Sequence, residues 1–269
     1  MNGTCKLCGN VSPLKESHII PDFYIRGLEH NLVTGSQGIS QPFSILLSAN
    51  PHFEGGVKQR GQWEKIIGMK EKLLCSDCEQ KFQKNETYVR DLLYGNSPLP
   101  LKKLEMGNRL HEITERFQVE DLLEVRKVKV EYKRLKLFQM SILWRAGISR
   151  GSFFKEVNLG EFHETKLQEL LNAENPGLYT DYSCIMIDLR LNENGCEDGI
   201  GQPKRRLGHH QKSYLFIMGG YAFEFIVSKQ KPRPGALLCC VKPSGEMIVL
   251  VASAKKFFSS WAIAFRKAG

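Results

Sequence analysis

Leu74-Cys75-Ser76-Asp77-Cys78-Glu79-Gln80-Lys81-Phe82 decides how the first third of this chain is read, because its Cys-x-x-Cys pair has a counterpart far upstream, Cys5-Lys6-Leu7-Cys8. Two intervening residues let one turn aim both sulfurs at a single ion, so two such pairs supply the four thiolates of a tetrahedral structural zinc, Zn2+ held by Cys5, Cys8, Cys75 and Cys78. Four thiolates saturate the ion, which then holds the fold and does no hydrolysis. Between the pairs stands Ser17-His18-Ile19-Ile20-Pro21, with nine residues separating His18 from Cys8. A histidine placed this way beside a zinc module is a candidate for proton transfer, since its ordinary pKa lies near neutrality.

The run from Cys5-Lys6-Leu7-Cys8-Gly9 through Ser17-His18-Ile19-Ile20-Pro21 to Leu74-Cys75-Ser76-Asp77-Cys78-Glu79 resembles the HNH, or ββα-metal, nucleases. In those a zinc-tied hairpin presents a catalytic histidine and the following helix brings a metal ligand beside it. A wider likeness is to uncharacterised bacterial proteins that carry Ser-His-Ile-Ile-Pro, then Leu-Cys-x-x-Cys-Glu-Gln-x-Phe, then Leu143-Trp144-Arg145-Ala146. The resemblance implies that His18 is the base that activates water, and that a catalytic Mg2+ or Mn2+ is held by hard oxygen ligands. Glu79, directly after the last cysteine, is the first choice of ligand; Glu86, seven residues on, shares the catalytic role, and Asn85 adds a ligand or orients a water. Two departures stand out. Ser17 occupies the place where many members carry a metal-binding aspartate, and no counterpart of the middle asparagine precedes Cys75. Either the ion is held by a rearranged set such as Glu79, Glu86 and Asp22, or the module has lost catalysis.

A chain of 269 residues is long enough for a sizeable core, in one large domain or two smaller ones. A charged fraction of 25% and a hydrophobic fraction of 42% exclude disordered and fibrous classes. No run approaches the ~20 apolar residues that span a bilayer, and the opening Met1-Asn2-Gly3-Thr4 leaves no room for a signal core. The expectation is a cytoplasmic protein with no membrane partner. The remaining cysteines, Cys184, Cys196, Cys239 and Cys240, lack metal spacing and read as small core residues, the adjacent pair on opposite faces of a strand. A formal charge of +9 favours a polyanionic partner, nucleic acid, with DNA ahead of RNA. Two basic clusters offer phosphate contacts: Arg126-Lys127-Val128-Lys129-Val130, which alternates charge and valine as a half-buried strand would, continued by Lys133, Arg134 and Lys136, and Lys204-Arg205-Arg206. A regulatory partner protein or a homo-oligomer is also expected. His209-His210 reads as a solvent loop.

The expected fold is α+β: an N-terminal zinc-stabilised ββα-metal module over 1–95 with a long insertion, a helical region over 96–177, and an antiparallel β-rich part over 178–269 ending in a helix. Sixty-six residues separate Cys8 from Cys75, and the glycines and prolines between Asp22 and Lys72 read as loops. Glu79 to Leu93 has helical spacing and is stopped by Gly95-Asn96-Ser97-Pro98. Leu135 to Ile148 is apolar on more than one face, as a central packing helix is, and His163 to Ala173 forms another helix. Strands are expected over Ser183–Leu189, Tyr214–Met218, Tyr221–Val227, Leu237–Val241 and Met247–Val251, then an amphipathic helix over Ala254–Lys267. The functional reading is a metal-dependent endonuclease hydrolysing DNA phosphodiester bonds, an effector of phage defence. Two rivals stand beside it: a zinc-bearing nucleic-acid-binding or adaptor protein without catalysis, and an interaction protein whose β-rich part recognises a partner protein or a small signal molecule.

Overall fold

The computed structural model describes residues 2–26, 70–95, 115–119, 122–190, 200–207, 212–228, 232–253 and 257. It is a mixed α/β structure with two sheets. The first is a three-stranded antiparallel sheet in chain order: β1 (Asn2–Thr4), β2 (Val11–His18) and β3 (Lys70–Cys75). A register shift between Lys15 and Glu16 interrupts the β2–β3 ladder, after which Glu16, Ser17 and His18 face Lys72, Glu71 and Lys70. Residues 22–26 are helical. The long helix α1 (Ser76–Tyr94) follows β3 without a loop and buries Phe82, Asn85, Val89 and Leu93. Those positions recur at three- and four-residue intervals, the spacing of one helix face.

Helix α2 (Tyr132–Ile148) is the centre of the core, buried on nearly every side from Leu135 to Ala146. Phe82 of α1 meets its Trp144 edge to face, with ring centroids 6.3 Å apart. Helix α3 (Glu161–Asn172) adds Leu167 and Leu171 to the same core.

The second sheet has seven strands: β4 (Glu115–Val119), β5 (Leu122–Lys129), β6 (Cys184–Arg190), β7 (Ile200–Leu207), β8 (Lys212–Met218), β9 (Tyr221–Val227) and β10 (Glu246–Ser253), in the spatial order β4-β5-β10-β6-β9-β8-β7. Strand residues alternate between faces. Met186, Tyr214, Phe216, Phe223 and Phe225 join the helical core, while Ile187, Leu189, Leu215, Ala222 and Ala252 form a separate outer cluster. Gly219 and Gly220 make the two-residue β8–β9 turn with φ of 55° and 76°. A positive φ at both central positions is what such a tight hairpin requires. Tyr94, at the end of α1, donates its hydroxyl to the Gly219 carbonyl at 2.6 Å, which pins the first unit to the large sheet.

Several expectations are corrected. The stretch before α2 is less helical than expected: beside β5, which contains most of the alternating run over 126–130, lies β4, and the two pair, through β10, with the C-terminal strands. The large sheet is not purely antiparallel, because β10 runs parallel to β6. Leu237–Val241 is no strand; Pro234–Leu238 forms a short helix, α4, with Pro234 in its first turn. A short apolar run is ambiguous between strand and helix, and here the proline's fixed φ sets the helical start. Cys239 and Cys240 accordingly end a helix, and the Cys240 thiol donates to the Ala236 carbonyl at 3.1 Å. The insertion over 27–69, His209-His210, Cys196 and all of the expected C-terminal helix except Phe257 lie outside the described residues. No helix among the described residues is long and apolar enough to cross a membrane.

Candidate functional site

The first Cys-x-x-Cys pair sits on the turn joining β1 to β2. Cys5 donates its amide to the Asn10 carbonyl at 2.9 Å and Gly9 donates to Cys5 at 3.0 Å, with Gly9 at φ 79°, a left-handed conformation that lets the loop fold back on itself. The second pair is the start of α1, Cys75 at its N-cap and Cys78 in its first turn. The Cys75 amide donates to Cys5 Sγ at 3.4 Å, and Cys8 Sγ lies 3.9 Å from Cys75 Sγ. All four sulfurs lie within 4.8 Å of one another, and among the described residues no other group of His, Cys, Asp or Glu brings at least three donor atoms so close.

That donor set fits a metal ion such as zinc. Burial and the crowding of neighbouring thiols push Cys78 well up. Burial raises Cys5 as well, but hydrogen bonds from the backbone at Cys8, Cys75 and Leu7 outweigh it and bring this thiol down to about 7. Four adjacent sulfurs cannot all ionise unless a cation sits among them, and a coordinating dication deprotonates its thiols. The partial positive charge at the start of α1 works in the same direction.

From the quartet, β2 runs on to end at His18, which faces Lys70, five residues before Cys75. The His18 Nε2 atom is shut off from solvent 3.1 Å from Asp22 Oδ1, close enough for an ion pair but without hydrogen-bond geometry. Asp22 also holds Arg26 through its other oxygen. Burial lowers the pKa of His18, with Asp22 pulling the other way. The imidazole is therefore neutral at pH 7, the form a general base needs.

Behind His18 lies Arg145 of α2, 1% exposed, whose Nη1 donates to the His18 carbonyl and whose Nη2 reaches Glu86 Oε1 at 2.6 Å. Its guanidinium also stacks over Phe82, 5.3 Å from the ring centroid. Glu79 stands one helical stretch before Glu86. Burial raises its pKa, while the nearby Ser17 hydroxyl and Arg145 pull it down and Glu86 raises it further. Glu79 Oε1 and the Ser17 hydroxyl are both buried and near one another, but neither has a partner in full hydrogen-bond geometry among the described residues.

Of the residues expected to act together, Glu79 and Glu86 lie near Arg145, which also holds the His18 carbonyl. Asn85 faces elsewhere, donating to the Lys81 carbonyl of its own helix at 3.4 Å. Arg126 is corrected outright as a phosphate contact. It is 3% exposed and bound to Glu124 at 2.7 Å and to Asp188 at 3.4 Å. It shares strand parity with the buried Val128 and Val130, so its charge is spent inside the core. Lys127 and Lys129 point the other way and reach solvent, and Lys133 and Arg134 lie on the exposed first turn of α2, Arg134 paired with Glu131. In β7, Lys204 is held by Glu156 at 2.6 Å, the Arg205 backbone amide donates to the same carboxylate at 3.2 Å, and Arg206 lies 3.9 Å from Glu224.

Sequence reasoning assigned no role to Arg145 and named Asp22 only third in a rearranged ligand set. The Asp22 contact crosses the bend between β2 and the helical residues 22–26, and nothing local marks the reach of Arg145 to Glu86 and the His18 carbonyl, 59 and 127 positions away. Comparison with protein-family models, with curated proteins and with solved structures found no match to this chain.

Proposed function

We propose that this chain is an HNH-like, metal-dependent endonuclease that hydrolyses DNA phosphodiester bonds, with the zinc-bearing unit as a ββα-metal module. One observation carries the reading: two antiparallel strands run directly into a helix, the first strand ends in a partly buried neutral histidine, and the helix brings Glu86, with Glu79 near it, to the arginine that holds that histidine, in a unit that also carries a four-cysteine metal site. With Nε2 turned to Asp22, Nδ1 is the nitrogen that takes the proton from an attacking water. Asp22 orients the ring and favours the imidazolium that forms. Arg145 fixes the backbone on which His18 stands.

The oxygen donors suit a hard dication, and the buried, unpartnered Glu79 Oε1 is the atom such an ion would satisfy. Glu79 would hold it, and it would supply positive charge to the phosphate when bound. Basic side chains at Lys127, Lys129, Lys133 and Arg134 would track the backbone of the substrate. Action as an effector in phage defence, in the cytoplasm and under the control of a partner protein or a homo-oligomer, belongs to the same reading.

A second reading, a zinc-bearing nucleic-acid-binding or adaptor protein without catalysis, draws on a specific observation. Asp22 is already answered by Arg26 and Glu86 by Arg145, so both carboxylates are balanced without a dication. Plasmid cleavage with magnesium or manganese, run beside zinc-replete His18→Ala, separates the two. Nicking lost in the folded variant supports the nuclease, whereas DNA binding without nicking in either protein supports the adaptor.

A further inference from the structure

We infer that Lys70 is a substrate-binding residue of this site, placing its ammonium on the phosphate that His18 addresses; the inference rests on the nuclease reading for its chemistry. Lys70 opens β3 directly opposite His18 in the antiparallel ladder. Residues directly opposite project from the same face with Cβ atoms about 5 Å apart, so the lysine and the histidine share one surface.

Two cations bear on His18, and their charges are not equally free. Arg145 is buried and bound to Glu86, whereas Lys70 is exposed and in no ion pair among the described residues. The next pair on the same face makes the contrast: Lys72 stands opposite Glu16, a carboxylate able to answer it, whereas Lys70 stands opposite an imidazole. The charge of Lys70 also reaches the ring, since it helps hold His18 below its ordinary pKa. A phosphodiester gains negative charge at its non-bridging oxygens as water attacks, and a flexible ammonium beside the base is suited to meet it. The same ammonium repels a proton from the resting imidazole and attracts the polyanion. The ligand class is a nucleic-acid phosphate.

The test uses the zinc-replete full chain and a short fluorescein-labelled DNA duplex. Binding is titrated over a salt series for His18→Ala and for His18→Ala/Lys70→Gln, with calcium present and no turnover. A lost phosphate contact should make the slope of log affinity against log salt shallower by about 0.9, with Lys70→Arg restoring it. In the His18-intact protein with magnesium or manganese, Lys70→Gln should cut kcat/KM by about tenfold at unchanged Tm, and Lys70→Arg should recover most of it. An unchanged salt slope together with an unchanged kcat/KM overturns the role of Lys70 and leaves the nuclease reading intact. DNA binding with the expected slope change but no cleavage in any divalent ion keeps Lys70 as a phosphate contact and removes the nuclease. No binding of DNA by any of the proteins overturns both.

Discussion

Arg145 and Glu86 form a salt bridge of 2.6 Å that joins the central helix to the helix following the zinc site, with the arginine almost completely buried. The same guanidinium holds the His18 carbonyl and receives support from the ring of Phe82. Removing one partner of such a pair strands the other charge in a low-dielectric place, which typically costs 3–5 kcal/mol for fully buried pairs. Glu86 keeps 16% exposure, so Arg145→Met should lose about 2–4 kcal/mol, read as a lower urea midpoint at an unchanged slope. The double variant Arg145→Met/Glu86→Leu should recover part of that loss, because no stranded carboxylate remains. Equal stability of the single and double variants would show that Glu86 finds water instead of needing Arg145.

Zinc should be present at about one ion per chain, because four thiolates saturate it. Its removal should disturb more than the turn between β1 and β2, since Cys75 and Cys78 also form the start of α1. Cys78→Ser and strong chelation should each lower Tm by more than about 10 °C. Cys239→Ser is the control; its thiol is only partly buried and lies outside the quartet. Metal analysis by mass spectrometry and a thermal scan check both statements, and a zinc-free chain that melts where the zinc-loaded one does would remove the structural role.

What the sequence made legible follows the range of each interaction. Ligand spacing, helix period and strand alternation are local, so the cysteine quartet, α1, α2, α3 and four strands of the large sheet could be read directly. The alternation at Arg126-Lys127-Val128-Lys129-Val130 identified β5 but was not followed to its consequence, that Arg126 shares the inward parity of the two valines. Arg145 was opaque for another reason. Nothing in Leu143-Trp144-Arg145-Ala146 says that a helix face so apolar will meet Glu86 and the end of β2, because that meeting is made by tertiary packing. The parallel pairing of β10 with β6 was hidden in the same way, since strand order is set by the whole core.

Gly219 offers a test of how the first unit is fastened to the large sheet. At φ 55°, a Cβ placed there would overlap the Tyr94 hydroxyl and come within 2.6 Å of the Tyr24 ring. Gly160 is the matched control, with φ 82° and nothing within 4 Å of the added carbon. Gly160→Ala should cost about 1 kcal/mol, the conformational term alone, and Gly219→Ala about 2–4 kcal/mol, because the aromatic contact must also open. Tyr94→Phe should lose about 1 kcal/mol through the hydrogen bond to the Gly219 carbonyl. If the two glycine variants melt alike, the aromatic clamp yields too easily to fasten anything.

Lys136 sets a pH dependence with a definite sign. The side chain is buried in α2 and donates to the carbonyls of Asp181 and Tyr182, the latter at 2.9 Å. Burial brings its pKa down to about 8, with the nearby Cys240 and Cys184 thiols pulling the other way. The unfolded chain holds this proton up to roughly pH 10.4. Between those two values the unfolded state binds more protons than the folded one, so stability rises with pH across that window and is lowest, by about 3 kcal/mol from this group, below pH 8. Lys136→Met removes the titration while leaving the two carbonyls without their donor. The stability of the natural chain relative to that variant should therefore increase by about 2 kcal/mol between pH 7 and pH 9.5, measured by urea unfolding of both proteins at each pH. Differencing the two chains cancels every other titrating group they share. A difference that stays flat would mean that Lys136 keeps its proton in the core throughout, its charge held by the two carbonyls more firmly than burial opposes it.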